Sequence, residues 1–152
     1  MLTSRIFLVY LVPQRREKGY NPQLFSVSST TFYGFKMKTV LPGDHPTLET
    51  VPGRFGEIII VGENAMMMRL TVQPNVPTPP HSHPHEQMGI VAEGEGELYI
   101  DGEIKLIKKG TSFYVPPNSM HNFDATGDKP AVLIECFTPP REDYLKIIAD
   151  RK

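Results

Sequence analysis

The chain has 152 residues, enough for one well-buried core and too few for two independent ones. Its 39 % hydrophobic and 22 % charged residues are the composition of a globular domain, which excludes a disordered chain, a fibre and a membrane-embedded protein. Sixteen basic residues against 17 acidic ones leave a net charge of −1, so nothing in the electrostatics calls for nucleic acid as a partner.

In chain order, the first 36 residues differ from the rest. Arg5, Arg15, Arg16, Lys18 and Lys36 against Glu17 make residues 1–36 net +4, which leaves −5 for residues 37–152. The apolar run 6–12 is far short of the roughly 18 residues that span a bilayer, so no membrane partner is expected. Arg5 precedes that run as in a signal peptide, but Pro13-Gln14-Arg15-Arg16 follows it where small residues would mark cleavage. Residues 13–36 read as an extended arm, mixing Arg, Gly, Asn and Pro with a Ser/Thr cluster. Met37 opens a denser sequence, so one reading starts natural translation there; the other makes 5–12 and 31–35 extra strands that extend a sheet. Cys136 is the single cysteine, which excludes an intrachain disulfide and fits a reducing, cytoplasmic setting.

From Met37 onward, short strand-like runs separated by turn residues predict an all-β sandwich or barrel. Eight runs are expected, at 57–61, 66–73, 88–92, 96–100, 104–107, 112–115, 121–123 and 131–137. Asp101-Gly102 has the residues that tolerate positive φ in a tight hairpin turn. In 66–73, Met66, Met68, Leu70 and Val72 share one face, so these methionines are expected to fill the core. A single short helix is predicted at 141–151, where Tyr144, Ile147 and Ile148 recur at helical spacing. The domain division is therefore an arm over 1–36 and one β domain over 37–152.

The stretch Pro79-Pro80-His81-Ser82-His83-Pro84-His85-Glu86-Gln87 holds three of the five histidines. In extended chain, positions i and i+2 face the same side, so His81 and His83 offer two imidazoles to one ion. His121 returns as a third nitrogen donor after Pro116-Pro117-Asn118-Ser119-Met120. Gln87 is the expected oxygen donor, with Glu86 as the alternative if Pro84 shifts the alternation; His85 is expected at the rim. Nitrogen and oxygen donors admit one divalent ion of Zn, Mn, Fe, Ni, Co or Cu.

His81-x-His83-x-x-x-Gln87-x6-Gly94 resembles the first cupin motif, and Gly110-x5-Pro116-x-Asn118-x-x-His121 resembles the second. The resemblance implies a cupin-type double-stranded β-helix, a jelly-roll barrel with a metal inside its mouth and here a short C-terminal helix. Asn75 and Asn118 stand where the motifs carry glycine, and asparagine is the residue that best keeps a left-handed turn there. Gln87 stands where glutamate is usual, and a neutral amide leaves the ion close to +2, a stronger Lewis acid that attracts anions.

Glu135-x-Phe137-x-Pro139-Pro140-Arg141 resembles the Asp-x-Phe-x-Pro-Pro-Arg ending of small cupins of pectin and alginate breakdown, which help linearise 4,5-unsaturated uronates to keto acids. Carried over, His81, His83, Gln87 and His121 hold the metal, Glu135 is the acid or base, Phe137 packs on the sugar and Arg141 forks onto its carboxylate. The expected function is thus a metal-dependent isomerase of a small anionic sugar acid. A dioxygenase using Fe, Ni or Cu and a non-catalytic metal or sugar-acid binding module are the alternatives. A homodimer is expected from the family and from the β edges that a small barrel must cover.

Overall fold

The computed structural model describes residues 38–150. The arm over 1–36, its strands at 5–12 and 31–35, the start at Met37 and the last residue of the expected helix, Arg151, lie outside the described residues. Among the described residues nine strands precede one helix: β1 (Thr47–Val51), β2 (Arg54–Val61), β3 (Met66–Val72), β4 (Glu86–Glu93), β5 (Glu95–Ile100), β6 (Glu103–Lys108), β7 (Ser112–Val115), β8 (His121–Ala125), β9 (Ala131–Thr138) and α1 (Glu142–Ala149). The eight expected runs are all strands. β1 is a ninth, and β2 begins three residues earlier than its apolar run indicates.

Alternation along each strand decides which side chains meet between the sheets. In β3, Met66, Met68, Leu70 and Val72 are buried whereas Met67 faces solvent. All pairings are antiparallel, in one sheet of order β1-β2-β3-β9-β4-β7 and a second of order β6-β5-β8. The last strand, β9, thus lies between β3 and β4. Leu70, Val91, Leu98, Ile107, Phe123 and Leu133 from both sheets form one apolar cluster. Burial of each such side chain contributes about 1.5–3 kcal/mol.

A second cluster, Leu48, Ile58, Met66, Met68 and Phe137, receives Tyr144, Leu145 and Ile148 of α1. Tyr144 and Ile148 of the expected stripe pack there together with Leu145, whereas Ile147 is 43 % exposed. No helix among the described residues is long and apolar enough to cross a membrane.

Asp101 (φ 46°) and Gly102 (φ 96°) are both left-handed, as a two-residue hairpin between β5 and β6 requires. Asp101 Oδ1 accepts the Met120 N–H at 2.7 Å, tying this turn to the segment that delivers His121. Gly96 is needed for space rather than for its φ. A Cβ there would lie 2.4 Å from the Asp124 carbonyl oxygen and 2.4 Å from the Phe123 ring. Gly96→Ala is therefore expected to cost about 1–3 kcal/mol by overpacking, read as a lower denaturation midpoint at unchanged slope. A midpoint equal to that of the wild type would show that β5 and β8 separate freely.

Candidate metal centre and cavity

His81 lies in the segment before β4 and His121 opens β8, and an isolated antiparallel bridge joins their backbones. Each N–H donates to the other's carbonyl, at 3.0 and 2.8 Å. The Asn118 N–H donates to the His83 carbonyl at 2.8 Å, so the second turn closes onto the first. Asn75 (φ 60°) and Asn118 (φ 65°) are both left-handed, which agrees with asparagine standing in for glycine.

These backbone contacts gather three imidazoles. Ring centroids lie 4.5 Å apart for His81 and His121 and 4.8 Å for His83 and His121. The donor atoms of His81, His83 and His121 all fall within 4.8 Å of one another, so these three residues could hold a metal ion. His83 Nδ1 faces the His85 carbonyl at 3.2 Å and His121 Nδ1 faces the Ser119 carbonyl at 2.8 Å. Both Nδ1 atoms therefore carry the proton, which leaves Nε2 lone pairs aimed at the cluster. His121 Nε2 is buried without a hydrogen-bond partner, an arrangement that costs free energy unless an electrophile takes the lone pair. Desolvation, aided by the other cationic groups nearby, pulls His81 and His83 down to about pKa 4, so both are neutral ligands at neutral pH. The donor set thus fits a divalent transition ion.

The structure brings Gln87, rather than Glu86, to these histidines. Gln87 is buried in β4 with Oε1 3.1 Å from His83 Nε2, whereas Glu86 occupies the alternate face. The other end of the amide, Nε2, donates to Glu135 Oε1 at 2.8 Å. Glu135 is 5 % exposed on the inner face of β9 and is pushed up to about pKa 7 by desolvation, against the pull of Arg54, Gln87 and Arg141. Phe137, two residues on, packs its ring edge-on against His83 at 5.7 Å.

Arg141 is buried at the N-cap of α1, where its guanidinium lies 5.5 Å from the Phe137 ring centroid and 4.2 Å from that of Tyr144. Its Nε and Nη2 already form a fork with Asp143, at 2.9 and 2.7 Å. The edge expected to grip a ligand is therefore occupied, and only the Nη1 side remains. His85 is half-buried beside His83 and outside the three-histidine cluster, while His45 lies by Glu57, 3.8 Å away.

Gln87, Glu135, Phe137, Arg141, His81 and His121 all line one cavity of about 290 Å³ between the sheets. Leu48 and Val51 of β1 and Tyr144 and Ile147 of α1 complete its wall. Further polar lining residues, Arg54 and Tyr144 among them, were not legible in the sequence as site residues. Tyr144 reads there as part of an apolar helix face, and Arg54 opens β2 with the polarity of its first two residues inverted, arginine inside and Phe55 42 % exposed.

Comparison with known proteins adds the following. The family described as "Cupin domain" matches residues 68–137. The pectin degradation protein KdgF of Dickeya dadantii is 32 % identical over 90 residues, which cover 59 % of this chain and 81 % of that protein. Among solved structures, an RmlC-like cupin from Shewanella frigidimarina superposes with a TM-score of 0.64 at 26 % identity, over 72 % of this chain and 96 % of that one. KdgF from Halomonas sp. superposes with a TM-score of 0.65 at 24 % identity, over 72 % and 99 %.

Proposed function

This chain belongs to the cupin family, and from that premise we propose that it is a metal-dependent isomerase that helps linearise 4,5-unsaturated uronates to keto acids. The observation that carries the reading is the chain of contacts from Glu135 through the Gln87 amide to the three-histidine cluster, with Glu135, Gln87, His81 and His121 lining one cavity. About 290 Å³ is at the lower end of ligand-site volumes, which suits a monosaccharide rather than a polymer. The pectin-degradation relative supports a sugar acid as the substrate class.

His81, His83 and His121, with the Gln87 oxygen, would hold the ion, whose chemistry when bound is to polarise a ligand oxygen as a Lewis acid. Glu135 moves the proton. It takes the proton of the C1 hydroxyl as the C1–O5 bond breaks, which leaves an aldehyde at C1 and an enolate at C5. It then returns that proton to C4, and C5 becomes a ketone. One proton has moved within the molecule and nothing is oxidised or reduced. Phe137 packs on the sugar face and Arg141 adds positive charge beside it. The exposed row Met67, Met88 and Tyr114 on the outer face of β3, β4 and β7 supports a homodimer, which we place in the cytoplasm.

With purified protein, a 4,5-unsaturated galacturonate is expected to lose its conjugated ultraviolet absorbance faster. Chelator should return the rate to that of the uncatalysed reaction, and no oxygen should be consumed. Metal-loaded protein that accelerates neither the galacturonate- nor the mannuronate-derived substrate would sink this reading. Oxygen uptake would transfer the site to the dioxygenases.

A further inference from the structure

Arg54 is the first residue of β2 and only 6 % exposed. Its register partners, Val72 on β3 and then Ala131 on β9, root it three inward-facing rows from Phe137 and Gln87. The side chain nevertheless lines the same cavity as His81 and His121. Its Nη1 donates to Thr78 Oγ1 and to the Phe123 carbonyl, both at 2.7 Å. Thr78 is itself fixed, since its N–H donates to Asp124 Oδ1 at 3.0 Å and its carbonyl accepts from Asn122 at 3.0 Å. The guanidinium is therefore held in one place by two neutral acceptors.

No carboxylate among the described residues lies within ion-pair distance of Arg54. Of the two acids that act on it, Glu135 is bonded to Gln87, and Asp124 is bonded to Thr78 and Asn122. A buried cation without a contact anion is costly, and natural interiors pair such charges. The cost is met when an anion arrives from outside. Moreover, the Nε and Nη2 groups have no partner among the described residues, and this is the edge that forms two parallel bonds with a carboxylate. In Arg141 the same edge is taken by Asp143.

We propose that Arg54 is the anion anchor of the cavity, receiving the carboxylate of the ligand on its Nε–Nη2 edge while the histidine end engages the ligand's oxygens. The assignment rests on the sugar-acid reading of this site and moves the specificity-determining contact from Arg141 to Arg54. Because Thr78 and Phe123 hold the guanidinium beforehand, little ordering remains to oppose binding.

Calorimetry on the full, metal-loaded chain with D-galacturonate, its methyl ester and D-galactose tests this. The wild type is expected to bind galacturonate at least 10-fold tighter than the ester. Arg54→Lys should remove most of that preference, through about a 10- to 100-fold loss for galacturonate alone, at unchanged metal content. Thr78→Val keeps the charge but frees the guanidinium, and should lower the preference about threefold. Arg69→Lys, at an arginine outside the cavity, should bind all three as the wild type does, and Arg141→Lys tests the competing assignment. The anchor is overturned by a wild type without preference, by a preference that survives both Arg54→Lys and Thr78→Val, or by one lost only in Arg141→Lys. Turnover is scored apart: wild type that prefers the carboxylate but leaves the unsaturated uronate unchanged retains the anchor and loses the isomerase.

Discussion

Replacing His81 and His83 together with alanine is expected to weaken divalent metal binding by at least about 10³-fold, roughly 4 kcal/mol. Two of the three imidazoles in the cluster disappear, and His121 with Gln87 alone gives an ion one nitrogen and one amide oxygen. The matched control is His45→Ala, which removes a histidine beside Glu57 and should bind as the wild type does. Metal content after dialysis, followed by chelator competition, reads the effect. Undiminished stoichiometry in the double variant would move the ion elsewhere in the protein.

Glu135→Gln is expected to lower kcat on an unsaturated uronate by about 10²- to 10⁴-fold with little change in KM or bound metal, as for loss of a general acid or base. Glutamine keeps the volume and still offers an oxygen to the Gln87 N–H, so the Gln87 amide stays oriented toward His83. The lost quantity is the transferable proton. Glu135→Asp should be intermediate, because the carboxyl retreats by one methylene, about 1.5 Å, from the position that Gln87 fixes. Steady-state kinetics at matched metal loading decides the matter, and a kcat within threefold of the wild type in Glu135→Gln would remove Glu135 from the chemistry.

The three-histidine cluster was legible because spacing forces geometry. His81 and His83 share parity on extended chain, and His121 follows a proline-rich turn that returns to them. The left-handed Asn75 and Asn118 and the Asp101-Gly102 turn were equally readable, because few residues accept positive φ. β1 was not, since Thr47-Leu48-Glu49-Thr50-Val51 has only two apolar residues and its pairing with β2 is interrupted by a shift of register. Arg54 was hidden for the opposite reason. A strand that turns its charge inward and its phenylalanine outward inverts the pattern from which burial is read, and only the cavity gives that inversion a purpose. The fork between Arg141 and Asp143 is local, two residues apart, yet sequence alone gives no preference between a bound neighbour and a bound ligand.

The histidines, Gln87, Glu135 and Phe137 all fall within residues 68–137, whereas Arg54 and the walls contributed by β1 and α1 fall outside that span. The metal-donor cluster is thus written in one stretch of the chain, and part of the cavity wall in the stretches that flank it. Mutations in the flanking elements can redraw the outline of the accepted molecule and leave the coordination sphere untouched. A lineage built on this plan can change what its cavity accepts without first surrendering its histidines.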